Sequence, residues 1–405
     1  MKKTLRALWI LAFVLLCLSA RPFACAEGAG ETVDLSALTH EEVDAAVERL
    51  LQTENLARVN LGADRAVTAL EQEGTPLPAP LRVEALWGAV QELPAPETGE
   101  ERLSWADIRK IVEAVPQAEV EYRFHISDLR FSTRSEELDL NHIRFDDEGA
   151  LIREILPCMR NLKILDMDFC GVSNESMAEI RDAYPEIDVI WRVWFGGNCS
   201  VRTDVERLLV SNIYLTNDNT PDLRYCTKVK YLDVGHDGSL SDLSFIREMR
   251  DREVLVVSIT GFHDLSPLTG LEKLEFFEGC CSTSWEVIDL SPLGTCPNLE
   301  HINICQLHAV EGYEAFANLK KLQRLWIGAS TPIPAEAVET LRAALPQAEI
   351  NTTEGTGCMG TWRYDDWGHD LPRYALLREQ FRYSEYDSLV PFVYNDPDYF
   401  SPNRK

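Results

Sequence analysis

The chain has 405 residues and a formal net charge of −27 at pH 7, with a sequence pI near 4.7. A surface this acidic repels phosphate backbones, which excludes nucleic acid as a natural partner. After residue 26 no segment approaches the ~18 uncharged apolar residues that a spanning helix needs. The length suits two ordinary globular domains or one long repeat array.

Residues 1–26 read as an export leader. Lys2, Lys3 and Arg6 form a basic start, an apolar stretch runs from Ala7 to Leu18, and Ala24-Cys25-Ala26 offers small residues for cleavage after Ala26. The apolar stretch is shorter than a permanent membrane anchor needs. Lipidation at Cys25 is disfavoured because Pro22-Phe23-Ala24 lacks an aliphatic residue three before the cysteine. Removing Lys2, Lys3, Arg6 and Arg21 with the leader takes the formal charge from −27 to −31, which favours basic partners or plain solubility.

Residues 27–115 are expected to form a helical N-terminal cap region. Thr39 can cap a helix with Glu42 three residues on, and Val43, Ala46, Val47, Leu50 and Leu51 follow at helical spacing. "NLARVNLG" from Asn55 reads as a stray repeat strand or a connecting turn. "GTPLPAP" and "LPAPETGEE" mark linkers.

A repeat dominates residues 116–350. Leu162-xx-Leu165-x-Met167-xx-Cys170 fits the pattern LxxLxLxxC. The same core is read at Val229, Leu232, Val234; at Val254, Val257, Ile259; at Leu271, Leu274, Phe276; at Leu299, Ile302, Ile304; and at Leu322, Leu325, Ile327. A partial copy sits at Leu138 and Leu140. Ahead of several cores an apolar residue recurs every third position, the spacing at which a 3₁₀ turn faces a sheet. Cys226 and Cys296 fill such slots and are expected as buried thiols, and Cys170 sits where a side chain satisfies turn amides. The interval from Val257 to Leu274 is too short for this pattern. Amphipathic stretches at Trp105–Val115, Glu175–Tyr184 and Ala335–Leu345 each lead through a proline into a strand, so true helices are expected near both ends of the array and tighter turns in the middle.

These units resemble leucine-rich repeats. The middle ones are similar to the internalin type with its "DLSPL" turn, seen at Asp264 to Leu268 and Asp289 to Leu293. The combination of "ELDLNHI", "LKILDMDFCGVSNESMAEIRDAYPEI", "WRVWFGGNCSVRTDVE" and "PRYALLREQF" also resembles secreted leucine-rich-repeat proteins of gut Firmicutes. The resemblance implies an α/β solenoid with a parallel sheet on its concave face, used by many relatives for protein recognition, but it names no ligand. The pattern departs at Trp191 to Phe195 and from Arg202 to Asn219. Residues 351–405 carry many aromatics, among them Trp362, Trp367, Tyr383, Tyr386, Phe392, Tyr394, Tyr399 and Phe400, and are expected to form a C-terminal cap or an exposed aromatic strip.

Residues between the inward leucines project from the sheet, because side chains alternate faces. On this register the candidate ligand-binding residues are Asp139, Asn141, Asp166, Asp168, Asp233, Ser258, Thr260, Glu275, Phe277, Asn303 and Trp326, with Gly328 beside them. Acids early and aromatics late would suit a basic protein or peptide with an apolar anchor.

Chemistry has little support. His236-Asp237, His263-Asp264, His301 and His308 read as solvated turn residues rather than a catalytic cluster. "DDWGHD" from Asp365 lacks the ordered spacing of a calcium loop. Nine of the eleven cysteines lie after the leader, an odd number for a disulfide framework, and no zinc-like CxxC pair occurs. No cofactor or metal is expected. A non-catalytic extracellular recognition module is the leading reading. A hydrolase acting on peptide or glycan and a structural envelope protein are the alternatives.

Overall fold

The computed structural model describes residues 30–64, 67, 102–127, 129–197, 199–353 and 360–381. The leader, both proline-rich linkers, Cys358 and the aromatics from Tyr383 to Phe400 lie outside the described residues. Those described fall into two compact units, 30–134 with 157–160, and 135–156 with 161–381.

Among the described residues the first unit holds a four-stranded sheet and α-helices. Strands β1 (Glu31–Asp34), β2 (Leu56–Ala63) and β3 (Glu119–Ile126) run parallel, and β4 (Leu129–Ser132) returns antiparallel on β3. Helices α1 (Val43–Leu51) and α2 (Trp105–Ala114) bury Val43, Ala46 and Leu50 and Ile108, Ile111 and Val112 respectively. The Thr39 N–H donates to the Glu42 carboxylate at 3.1 Å ahead of α1, the capping pair legible in the sequence. Ser104 caps α2, accepting from the Asp107 N–H at 3.2 Å. The helical expectation for residues 27–115 therefore covers only part of what forms. β1 and β2 lie in that stretch, and "NLARVNLG" is a strand.

The second unit is a coil array of mixed α/β character. Strands β5 (Glu137–Asp139), β6 (Ile164–Asp166) and β7 (Asp188–Ile190) make a three-stranded parallel sheet, with α3 (Ala150–Ile155) and α4 (Asn174–Ala183) between them. An antiparallel hairpin, β8 (Arg192–Phe195) and β9 (Cys199–Arg202), follows. Seven further parallel strands continue the array: β10 (Arg207–Leu209), β11 (Tyr231–Asp233), β12 (Val254–Val256), β13 (Phe276–Glu278), β15 (His301–Asn303), β17 (Arg324–Trp326) and β18 (Glu349–Asn351). A small parallel pair, β14 (Ile288–Asp289) and β16 (Val310–Glu311), lies apart from that sheet. Helix α5 (Ala335–Ala344) leads into β18, whereas 3₁₀ turns fill the back of the middle coils, as at Pro221–Tyr225, Ser244–Glu248 and Ser266–Leu268. "DLSPL" is the opening of such a turn. Asp242, Asp264 and Asp289 each accept, at 2.8 Å, the N–H of the serine two residues on, and this fixes the chain entry to the 3₁₀ segment.

Pairing sets the register. Leu208, Leu232, Leu255, Phe277, Ile302 and Leu325 lie side by side, all 0% exposed, and form the inward spine. Two frames assigned from sequence are thereby corrected. In the run Val254–Ile259 the inward residues are Leu255 and Val257, and the first leucine slot is held by Arg252. In the next coil Leu274 takes the first slot, Phe277 the second and Gly279 the third. Gly279 is required there because a Cβ would sit 2.5 Å from the Phe277 ring, so a large residue in one slot empties another. The short interval before Leu274 came from these two shifted frames. Val205-xx-Leu208-x-Val210, in the stretch that departed from pattern, is a full coil with all three side chains 0% exposed.

Seven strands of these coils, β5, β6, β10, β11, β12, β13 and β15, end in the same turn. His142, Phe169, Asn212, His236, Ile259, Cys281 and Gln306, each three residues past a strand, have φ between 56° and 64°. A left-handed conformation costs a non-glycine residue ~1–2 kcal/mol. The cost is offset by bonds between coils: the N–H of His142, Asn212, His236, Ile259 and Cys281 donates to a carbonyl of the following coil at 2.8–3.0 Å.

Candidate recognition face

In a three-residue strand whose middle side chain points into the core, the two flanking side chains point to the opposite face. On the seven-stranded sheet this gives two rows. Tyr231, Val254, Phe276, His301 and Arg324 make one, and Asp233, Val256, Glu278, Asn303 and Trp326 the other.

That face is covered by the chain's own C-terminal segment. Trp362, 3% exposed, lies over the sheet with its ring 5.6 Å from Phe276, 5.7 Å from Trp326 and 6.4 Å from His301. Its indole N–H donates to Glu278 Oε2 at 2.6 Å, and Arg363 Nη2 donates to Glu278 Oε1 at 2.7 Å. Glu278 is 1% exposed and also accepts from Ser258 Oγ at 3.2 Å. A buried carboxylate with a cation and two further donors is satisfied, where a lone one would be costly. The Arg324 guanidinium stacks over Trp326 at 4.6 Å and Trp362 at 5.0 Å and donates to the carbonyls of Thr361 and Trp362 at 2.7 and 3.1 Å.

The segment then turns back on itself. Asp365 accepts the N–H groups of Trp367 and His369 at 2.9 and 2.8 Å, and Leu371 N–H donates to Arg363 O at 2.8 Å. "DDWGHD" thus closes a loop, and the Asp365 carboxylate is spent within it. Helix α6 (Pro372–Gln380) continues across earlier strands, with Arg373 over the Phe276 ring at 5.4 Å and Phe381 against Tyr231 at 6.4 Å. The segment therefore runs from β17 toward β11, along the first row and against the order of the coils. Of its aromatics, Trp362 and Phe381 are buried, and Trp367 is 85% exposed.

The residues expected to line an open groove fare differently. Asp166 and Asp168 are buried and bound within the chain: Arg192 Nε and Nη2 reach Asp168 at 2.8 and 2.6 Å, and Arg202 Nη2 reaches Asp166 at 2.8 Å. Burial raises the Asp166 carboxyl above the ordinary range, opposed by Arg202. Both arginines come from the β8–β9 hairpin, which is why Asp166 and Asp168 present no open charge. Asp233, Asn303 and Trp326 are on the expected face but buried. Phe277 faces inward, a consequence of the corrected register. Ser258 and Thr260 lie beyond β12 and are buried, Thr260 Oγ1 donating to Val257 O at 2.8 Å. Asn141 and Glu275 are half-buried, Gly328 lies in the turn past β17, and Asp139 alone of the eleven is exposed.

The histidine–aspartate pairs do separate jobs. An Asp237 oxygen accepts the Ile213 N–H at 3.3 Å, Asp264 caps its 3₁₀ turn, and His308 stacks on exposed Trp285 with ring centres 3.9 Å apart. Cys226 and Cys296 are buried as expected, and burial raises both thiols. Cys170 is buried too, and its thiol donates to the Leu140 carbonyl at 3.0 Å. It serves that carbonyl and also takes a backbone hydrogen bond from Ile143 of the preceding coil's turn, since a thiol both donates and accepts. Among the described cysteines, Cys158, Cys170, Cys199, Cys226 and Cys296 are buried free thiols. Among the described residues no group of three or more His, Cys, Asp or Glu could hold a metal ion, and no helix is long and apolar enough to cross a membrane.

Glu278, His301, Arg324, Trp362 and Arg363 were missed as a group. The signal that finds them is positional: in the correct register Asp233, Glu278 and Asn303 fall in one row of the sheet.

No protein-family model and no curated protein matches the sequence. Solved structures to which the chain is similar are leucine-rich-repeat proteins. Internalin C2 of Listeria monocytogenes is 15% identical, with 62% of this chain and 74% of that one covered and a TM-score of 0.27. A leucine-rich-repeat protein of Leptospira interrogans is 17% identical over 60% of this chain and 62% of that one, TM-score 0.30. A second Listeria internalin is 15% identical over 62% and 76%, TM-score 0.28.

Proposed function

We propose that this chain is a non-catalytic, extracellular recognition module that binds a protein or peptide segment across the concave face of its seven-stranded sheet. One observation carries the reading: a peptide segment, supplied by the chain itself, already lies on that face with its indole and guanidinium donating to a buried carboxylate. Rigid strands present the contacting side chains at fixed spacing, the arrangement that gives an interface precision. Export rests on the basic, apolar and small-residue pattern of residues 1–26.

Panning a displayed random-peptide library on the full chain tests the binding role. Peptides should be enriched, and replacing Tyr231 or Arg324, the half-buried members of the two rows, should abolish their retention. A library that returns nothing, or clones indifferent to every such replacement, rejects the reading. Export has its own check, the N-terminus of chain recovered outside an expressing bacterium, which should be Glu27. Recovery only of the uncut chain inside the cell removes the extracellular role.

A further inference from the structure

We propose that the segment Gly360–Phe381 is an exchangeable stand-in for the ligand, and that the face around Glu278 selects an aromatic residue followed directly by a basic one. This rests on the recognition role above and names the ligand class that the same face would take, a peptide carrying a Trp-Arg-like pair.

Three observations converge. The pocket is built rather than incidental: Glu278 is 1% exposed and holds Trp362 Nε1 at 2.6 Å and Arg363 Nη2 at 2.7 Å, while Phe276 and Trp326 form a tilted aromatic floor. Arg324 binds the backbone carbonyls of Thr361 and Trp362, contacts that any peptide could make. The fit is also incomplete, because His301 Nδ1 and Trp326 Nε1 are buried under this segment without a hydrogen-bond partner. Structural cores rarely leave such groups unmet, and a ligand that reaches either one gains over the resident segment. Adjacent residues supply the pair, so the specificity resides in a dipeptide that many partners could carry.

A labelled peptide of residues 360–381, titrated against the full chain, tests this. A cis occupant competes at a high effective concentration, so the Trp362→Ala/Arg363→Ala chain should bind the peptide ~10-fold or more tightly than the unaltered chain. Adding Glu278→Gln should abolish the gain, and a peptide with the pair reversed in order should bind neither form. Hydrogen exchange on the unaltered chain is the second measurement: excess peptide should speed exchange across 360–381 and leave the strand Tyr231–Asp233 unchanged. A folded double variant that ignores the peptide overturns the proposal. So does a double variant whose repeats unfold, or a segment whose exchange the peptide does not alter, since either makes it a fixed cap. Failure here leaves the library test standing, because peptides retained elsewhere on the face need no Trp-Arg-like pair, whereas failure of the library test removes the recognition role on which this proposal rests.

Discussion

Arg192 and Asp168 meet side by side in the interior, Nε on Oδ1 at 2.8 Å and Nη2 on Oδ2 at 2.6 Å, with the arginine side chain 2% exposed. The pair joins the β8–β9 hairpin to the coil that ends in β6. Asp168→Ala strands a buried guanidinium and should destabilise the chain by ~3–5 kcal/mol. Arg192→Met combined with Asp168→Ala should recover much of that loss, read as denaturant midpoints. A double variant as unstable as the single one would show that the cation is not the source of the cost.

Arg252 fills a leucine slot at 0% exposure with no acid beside it. Its Nη2 donates to the carbonyls of Ile246 and Met249, and burial pushes the guanidinium down to about 9. Replacing a buried ion by an apolar side chain of similar volume is neutral to stabilising, by up to ~4 kcal/mol. Arg252→Met should therefore leave the thermal midpoint unchanged or raise it. A clear fall would mean that the two carbonyl bonds outweigh the desolvation.

Leu274→Asp tests the spine. Leu274 is 0% exposed, and an unpaired carboxylate there costs several kcal/mol, a large share of an ordinary stability of ~5–15 kcal/mol. The middle coils should lose their cooperative melt by circular dichroism. An unaltered melt would overturn the inward assignment.

His301 gives the pH dependence. Burial, reinforced by Arg373 and Arg324, lowers it from 6.5 to about 4. Between those values the unfolded chain takes up a proton that the folded chain refuses. The contribution is therefore complete above pH 6.5, declines as the pH falls toward 4, and is constant below that. The loss is on the order of 3 kcal/mol. Unfolding at pH 7 and pH 4.5 should show a larger acid loss in the unaltered chain than in His301→Phe. Equal losses would remove the imidazole from the account, because Asp166 and Asp237, both raised by burial, are common to both chains.

The turn after β12 offers a gain. Ile259, β-branched, is held at φ 59°, a conformation asparagine tolerates better. Ile259→Asn should stabilise by ~1 kcal/mol, seen as a higher denaturant midpoint, and no change would mean that the half-buried side chain compensates.

Much of the array was legible because its period is enforced by stacking. Leu165, Leu232, Ile302 and Leu325 each occupy the inward slot expected of them, and the stretches at Glu175 and Ala335 are helices. Legibility failed where apolar residues ran together. Val254–Val257 accepts two frames, and only pairing with Leu232 selects Leu255. A glycine and an arginine in leucine slots hid two further rungs, since neither advertises burial. The recognition face was less legible still. Its rows follow from the frame, so a two- or three-residue slip moved Phe277 outward and left Phe276 and Glu278 unnoticed. No local pattern announces that Trp362 returns to a strand 84 residues earlier.

The hairpin at β8–β9 divides the hydrogen-bonded sheet into blocks of three and seven strands. Stacked repeats pass cooperativity only through neighbouring coils, so this gap is a mechanical fuse. Pulled from its ends, the array would yield in two force steps, with the Arg192 and Arg202 side-chain bonds as the stitches that part between them.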